Sequence, residues 1–482
     1  MLRRVIFNSS VMLAGQVIVK VLGLVWLAII ARHLGDARFG YLTYAFSLAS
    51  LLGILIEFGF SSVITRAIAR RPEESARYLS NVLSLRLGLS AIAIPLTVLV
   101  ALHTGATRTT LTPVYVGAAA TAVAGLYAIS SSIFFGREKM EFPSMILVGS
   151  KLAAILVGLW VVHLGAGIAG IALVFLLEPV LNLLVSVPVL SRQFGLKFVP
   201  GLDFRFCRHL ISEALPFALA LALGLVYFKI DVVMLSAMKG SQCVGWYSAG
   251  YRLMEGLVYL PAAFVNTVFP TFSKLKNSSG DQLRTAVARS WEFVAAFALP
   301  TALGLILISD RIVLTLFGDG YLETIPVLRW IGAALFFVFI NNLLGVLLGA
   351  IDRQKTHFYC SLLGVIVNVS LNLYLIPRQA HLGAAKATLI TQVLLLVLLS
   401  VLAVRFTRVR LSGTRILKIT FSGALMAGAL LYWNELPLIA ALALGAGVYL
   451  VGHFVPRAVT RENRREMRDA ILPDRKRTLG ST

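Results

Sequence analysis

Apolar residues fall into long runs separated by short polar breaks from one end of the chain to the other. A run of roughly 20 apolar residues is what an α-helix needs to cross the hydrocarbon core of a bilayer. The pattern predicts helices near 8–31, 40–64, 82–103, 113–135, 143–163, 167–190, 209–236, 246–270, 289–309, 322–350, 358–376, 383–404, 415–433 and 437–456. The expected fold is therefore an all-α integral membrane protein with about 14 transmembrane helices.

Composition supports that reading. Of 482 residues, 58% are hydrophobic and only 14% charged, and the mean hydropathy is +0.85. So little polar surface cannot cover a soluble globule. The net charge of +22 would suggest nucleic acid in a soluble protein, but the placement of the basic residues excludes that reading. With the N-terminus inside, 32 of the 44 Lys and Arg fall on inner segments, among them Arg66, Arg70, Arg71, Arg77, Arg205, Arg208 and the tail after Pro456. Outer loops hold only Arg32, Arg38, Arg108, Lys239, Arg311 and Arg378. This asymmetry follows the positive-inside rule and predicts a multi-pass protein of the cytoplasmic (inner) membrane with both termini cytoplasmic. Arg3 and Arg4 precede a full-length apolar run with no small-residue cleavage site, so the first helix reads as retained rather than as a signal peptide. Cys207 and Cys360 fall inside and Cys243 outside, so no structural disulfide is expected.

Two loop patterns recur. Gly35-Asp36-Ala37-Arg38-Phe39-Gly40-Tyr41 matches Gly240-Ser241-Gln242-Cys243-Val244-Gly245-Trp246, and Gly136-Arg137-Glu138-Lys139 leading to His163-Leu164-Gly165-Ala166 matches Asp352-Arg353-Gln354-Lys355 leading to His381-Leu382-Gly383-Ala384. Six helices repeat, and an even number per repeat makes the halves parallel, related by an axis along the membrane normal. The expected units are a six-helix bundle over 1–206, a second over 207–410, two additional helices over 411–456 and a basic cytoplasmic tail over 457–482.

Charges inside apolar spans are costly unless paired or hydrated, so each one marks a candidate site. Lys20, Lys229 and Arg252 cluster in depth, on helices that would face one another across a cleft between the bundles. Such a patch suits an anionic headgroup such as a phosphate, held at close range. The acids Glu57, Asp231 and Glu255 are candidate pairing or coupling groups: Arg252 and Glu255 at i,i+3 can pair directly, and Glu57 or Asp231 could take a proton or sodium ion. Internal salt bridges that only hold helices together are the alternative for these charges and for Lys151 and Glu178. Lys386, Arg329, Glu213 and Arg86 lie nearer span ends and are expected to reach the interface. Asn368 with Asn372, one turn apart, and Asn341 with Asn342 suit hydrogen bonds between helices. Pro95, Pro179, Pro216, Pro261 and Pro300 offer kinks. Arg461, Arg464, Arg465 and Arg468 could form a basic face that meets anionic membrane lipid.

No phosphate-cradling GK[ST] loop, Asp-x-Asp pair, Cys-x-x-Cys or His-Glu-x-x-His occurs, and the outer loops are too short to house acceptor chemistry. The reading is a transporter, not an enzyme, with no metal site and no cofactor beyond a coupling H+ or Na+.

Ala31-Arg32-His33-Leu34-Gly35 with Phe39-Gly40, and Phe58-Gly59-Phe60 before Thr65-Arg66-Ala67-Ile68-Ala69-Arg70, resemble the opening of the polysaccharide-export flippases, the O-antigen (Wzx-like) family. Phe269-Pro270 before Lys274, Leu316-Phe317-Gly318 with Tyr321, Asn368 and Asn372 before Ile376-Pro377, and Gly383-Ala384-Ala385 with Ala387-Thr388 agree with it. The resemblance implies the fold of the multidrug/oligosaccharidyl-lipid/polysaccharide (MOP) superfamily, two six-helix bundles plus two extra helices. It also implies movement of polyprenyl-pyrophosphate-linked oligosaccharides across the membrane by alternating access, for cell-surface polysaccharide biosynthesis. Helices one, two, seven and eight would line the cavity, which places Lys20, Glu57, Lys229, Asp231, Arg252 and Glu255 there. Implied partners are the lipid-linked oligosaccharide, membrane lipids, a polysaccharide polymerase and glycosyltransferases. A lipid II flippase, a multidrug/cation antiporter and a non-transporting scaffold stand as alternatives.

Overall fold

Two sharp reversals divide what would otherwise be uninterrupted helices. At Gly35 (φ 74°, ψ 169°) and at Ala380 (φ 46°, ψ −127°) the backbone leaves the helical region and the chain turns back across the membrane. The computed structural model describes residues 2–106, 108–276, 280–409 and 413–458. The basic tail from 459 onward, with Arg461, Arg464, Arg465 and Arg468, lies outside the described residues.

Among the described residues the structure is all helical. The spans are α1 (2–34), α2 (36–70), α3 (Ser75–His103), α4 (Arg108–Gly136), α5 (Glu141–His163), α6 (Ile168–Phe194) and α7 (Phe204–Lys239). They continue as α8 (Ser241–Leu275), α9 (Gly280–Leu307), α10 (Thr324–Ala350), α11 (354–379), α12 (381–407), α13 (Gly413–Tyr432) and α14 (Leu438–Ala458). A short helix, Ser309–Leu316, lies between α9 and α10. Helices suit this environment because every backbone N–H and C=O is satisfied within the segment, where hydrocarbon offers no partner.

Helices α1 to α6 pack largely on one another, as do α7 to α12, and α1 and α2 meet α7 and α8 at the junction between the two groups. Helices α13 and α14 pair and lean on α9, where Gly423 lies so close to Leu299 that a Cβ would fall 2.6 Å from its Cδ2. Large apolar side chains such as Met145, Leu156, Trp160 and Phe421 are exposed on the outward faces. Such faces meet lipid rather than water.

Residues with left-handed backbone mark the internal repeat: Gly35 with Gly240, Glu138 with Asp352, Gly165 with Ala380, and Gly195 with Arg408 occupy corresponding junctions. This refines the register expected from the loop sequences. Positive φ falls at Glu138 and Asp352, rather than at Gly136 and Asp352, and the next break follows His163 in one half but precedes His381 in the other. Loop composition alone tolerated a slip of two residues.

Where α7 begins, Asp203 caps it. Its carboxylate accepts from Arg205 N and Phe206 N at 3.1 Å each and from Arg77 Nη2 at 2.8 Å, while its own N–H donates to Asn81 Oδ1 at 2.7 Å. Arg77 first, then these cap hydrogen bonds, hold the Asp203 carboxyl below its ordinary range, as expected for an anion bonded in its charged form. The cap joins α7 to α3.

Candidate functional site

Lys20 on α1, Lys229 on α7 and Arg252 and Glu255 on α8 meet where the two groups of helices face each other. Glu255 is the centre: Lys229 Nζ donates to Oε1 at 2.6 Å and Arg252 Nη1 to Oε2 at 3.0 Å. The Arg252 pairing is the i,i+3 contact that the spacing predicts. Lys20 Nζ sits 4.0 Å from the centroid of the Tyr259 ring, a contact from α1 to α8. A ring face attracts a cation but does not neutralise it. Three positive groups therefore share one carboxylate. The Lys229, Arg252 and Glu255 side chains are 15%, 29% and 20% exposed, so the cluster is sheltered yet reachable.

Asp231 does not belong to this cluster. Successive helical residues are turned by about 100°, so positions two apart point in nearly opposite directions. Lys229 therefore faces Glu255 while Asp231 faces the interior of the second bundle, where it is 2% exposed. There it accepts from Tyr247 Oη at 2.7 Å, Asn372 Nδ2 at 2.6 Å and Thr388 Oγ1 at 3.2 Å. Asn372 Nδ2 also reaches Asn368 Oδ1 at 3.1 Å. Of the two asparagines expected to bond between helices, Asn372 does so at a buried acid, while Asn368 bonds Asn372 within its own helix. Asn372 Oδ1 and Asn368 Nδ2 remain without a hydrogen-bond partner. Nearby, Gln392 joins Tyr227 and Asn341, with Nε2 to Tyr227 Oη at 2.6 Å and Asn341 Nδ2 to Gln392 Oε1 at 2.7 Å.

Glu57 is likewise apart from the cations. It bonds Arg86 Nη2 through Oε2 at 2.6 Å, and its Oε1 accepts Ser61 N at 3.2 Å where α2 is broken at Phe58 and Gly59. Arg86 is fully buried and also donates to Gly125 O and Ser61 Oγ, so it does not reach the interface as its position suggested. A part-buried acid beside a helix break holds it in place. Lys151 and Glu178 pair at 2.9 Å between α5 and α6, with Lys151 Nζ beside Gly23 of α1. Lys386, Arg329 and Glu213 have local partners: Gln379 at 2.6 Å, Ser309 at 3.0 Å and His209 at 3.7 Å.

Between this site and the face where Gly35 and Gly240 turn the chain lies a closed seam that the loop patterns alone do not predict. A Cβ on Gly40 would lie 1.8 Å from Ser241 O, and one on Gly245 would lie 2.1 Å from Asp36 O. Only glycine permits such an approach of backbones. Gln242 Nε2 donates to Asp36 Oδ2 at 2.8 Å, Arg32 donates to Leu316 O at 2.9 Å and Leu314 O at 3.1 Å, and Tyr321 Oη donates to Ala31 O at 2.9 Å. The available signal was the repeat itself, because the two matching loops are the surfaces that cross. On the opposite half, Gly59 of α2 abuts Phe217 and Ala218 of α7.

The polysaccharide biosynthesis protein family model matches residues 5–276, more than half of the chain. An uncharacterised membrane protein of Methanocaldococcus jannaschii is 23% identical over 377 residues, 76% of this chain and 89% of the relative. Lipopolysaccharide biosynthesis protein WzxC of Escherichia coli K12 is 24% identical over 354 residues, 71% of this chain and 69% of the relative. Among solved structures, the lipid II flippase MurJ in an inward closed conformation superposes with a TM-score of 0.75 at 18% identity, covering 93% of this chain and 98% of that one. An inward-facing multidrug resistance MATE transporter of the MOP superfamily gives 0.63 at 16% identity, covering 83% and 99%. These likenesses establish the fold as that of the MOP superfamily.

Proposed function

We propose that this chain, which belongs to the polysaccharide biosynthesis protein family, is a lipid-linked glycan flippase whose cationic cluster holds the diphosphate that joins glycan to polyprenol. The observation that carries this reading is the excess of positive charge at the junction of α1, α7 and α8, where Lys20, Lys229 and Arg252 share Glu255 alone among the described acids. A charged, hydrated headgroup cannot cross hydrocarbon unaided, because leaving water costs tens of kcal/mol in a medium of low dielectric constant. Fixed cations at half depth lower that barrier while the lipid tail stays in the bilayer.

Glu255 sets the chemistry of loading. Without substrate it partly neutralises Lys229 and Arg252, and an incoming diphosphate, with more charge and more acceptor oxygens, competes for the same donors. Arg252 supplies a planar fork and the lysines supply point charges. The closed outer seam keeps the site away from the far side, so release requires Gly40 and Gly245 to part. Direction follows from unequal affinity of the two states for substrate and for a coupling ion.

The coupling ion, a proton or Na+, is assigned to Asp231. Once the Asn372 amide turns its unpartnered Oδ1 inward in place of its NH2, that oxygen, the two carboxylate oxygens, Thr388 Oγ1 and Asn368 Oδ1 would offer a set of oxygen donors suited to a hard cation. The membrane is the cytoplasmic one, with both termini cytoplasmic, and glycosyltransferases and a polymerase act before and after transfer. The related reading as a lipid II flippase differs only in the glycan carried. A multidrug/cation antiporter is disfavoured, since a cluster of net positive charge repels cationic cargo.

The test is reconstitution of the full chain in vesicles with a fluorescent polyprenyl-diphosphate oligosaccharide in the inner leaflet and, separately, a cationic dye. Protein-dependent translocation of the diphosphate and not the dye is expected. Dye transport alone would overturn the reading.

A further inference from the structure

Along α8, Tyr247, Tyr251, Glu255 and Tyr259 follow one another at intervals of four and so share one helix face. This face joins the two polar centres. Tyr259 meets Lys20, Glu255 holds Lys229 and Arg252, and Tyr247 donates to Asp231. Between them stands Tyr251. Its ring stacks on Tyr247 with centroids 5.3 Å apart and planes at 25°, it is buried to 3% exposure, and its hydroxyl has no hydrogen-bond partner.

A buried hydroxyl without an acceptor is unfavourable, and phenylalanine would fill the same space without that penalty. The hydroxyl finds an acceptor if Glu255, one turn away, lets go of its cations. We propose that Tyr251 is a positioning residue that couples occupancy of the cationic cluster to occupancy of the Asp231 site. An anion that draws Lys229 and Arg252 away frees the Glu255 carboxylate to accept from Tyr251. The shift in the stacked pair then alters how Tyr247 presents its hydroxyl to Asp231. No bond is made or broken; two hydrogen-bond partners are exchanged. Besides Tyr247 and Tyr251 from α8, Asp231 is faced by Tyr227 from its own helix, Asn368 and Asn372 from α11 and Thr388 from α12. This inference rests on the proposed headgroup and coupling-ion sites.

The experiment measures binding of inorganic pyrophosphate to the purified full chain in nanodiscs by calorimetry. One arm compares low and high Na+ with ionic strength held by choline, and the other compares acid and alkaline buffer without Na+, each dissociation constant corrected for the protonation of pyrophosphate itself. In the wild-type chain one arm should change the pyrophosphate dissociation constant by about 5-fold or more, the usual span of coupling between linked sites, and the arm that responds identifies the cation. Tyr251→Phe should bind pyrophosphate in the uncoupled condition with unchanged affinity but show no response in either arm. Tyr247→Phe should also lose the response. A purely structural role for Tyr251 would lower the melting temperature and leave the response intact. A wild-type response preserved in Tyr251→Phe, or a wild-type chain that binds pyrophosphate without responding in either arm, overturns the coupling role alone. A wild-type chain that does not bind pyrophosphate overturns the headgroup reading and the coupling with it.

Discussion

Replacing Gly245 by valine should force the outer seam open. The first side-chain carbon would sit 2.1 Å from Asp36 O, a backbone atom, and Gly40 makes the reciprocal contact with Ser241 O at 1.8 Å. Backbone cannot swing aside as a side chain does, so the two loops must separate by about 1 Å, and overpacking of that kind costs about 1–3 kcal/mol. The Gln242 to Asp36 hydrogen bond is lost with it; being exposed, it adds about 0.5–1.5 kcal/mol at most. The cost falls only on the state in which the seam is shut. At 1.36 kcal/mol per factor of ten, the ratio of closed to open seam should fall roughly 10- to 1000-fold. The assay places a single cysteine at Lys20 in a chain whose Cys207, Cys243 and Cys360 are replaced, and measures labelling in intact cells by a membrane-impermeant thiol reagent. Labelling should rise at least several-fold in the Gly245→Val background. Equal labelling in both backgrounds, with normal folding, would refute the assignment of these glycines to the outer closure.

Four further outcomes follow from the same contacts. Arg86→Leu leaves the part-buried Glu57 without its cation and the Gly125 carbonyl without its donor, and should lower stability by about 1–3 kcal/mol, read as a drop in melting temperature in detergent; a change within the noise would contradict the pairing. Asp203→Ala removes the α7 cap and should lower the melting temperature, checked by the same measurement. Because the folded Asp203 carboxyl lies below its ordinary range, its contribution is present above the unfolded value of about 3.9 and is lost as pH falls through the folded value. The wild-type chain should therefore lose more stability than Asp203→Ala between neutral and acid pH. Asp231→Asn should abolish stimulation of transport by Na+ or by a proton gradient; undiminished stimulation would remove Asp231 from coupling.

The spans were legible because apolar run length is a local property of a chain in lipid. The Arg252–Glu255 pair was legible for the same reason, since i,i+3 contacts depend only on the helix. Hydropathy gives depth but not the partners that another helix supplies. The i,i+2 spacing turns Asp231 away from Lys229 but does not name what it meets, because its partners Asn372 and Thr388 lie 141 and 157 residues on. Position near a span end predicts Arg86 at the interface, although Glu57, 29 residues earlier, holds it inside. The glycines of the outer seam were noticed as a repeat, but their role depends on two loops from different halves crossing backbone to backbone.

The most direct test of the account is transport of a polyprenyl-diphosphate glycan by vesicles containing Lys20→Ala, Lys229→Ala or Arg252→Ala, each checked for wild-type expression and folding. The account predicts that all three lose transport, because each removes one of the charges that receive the diphosphate. Wild-type transport rates in all three would contradict it.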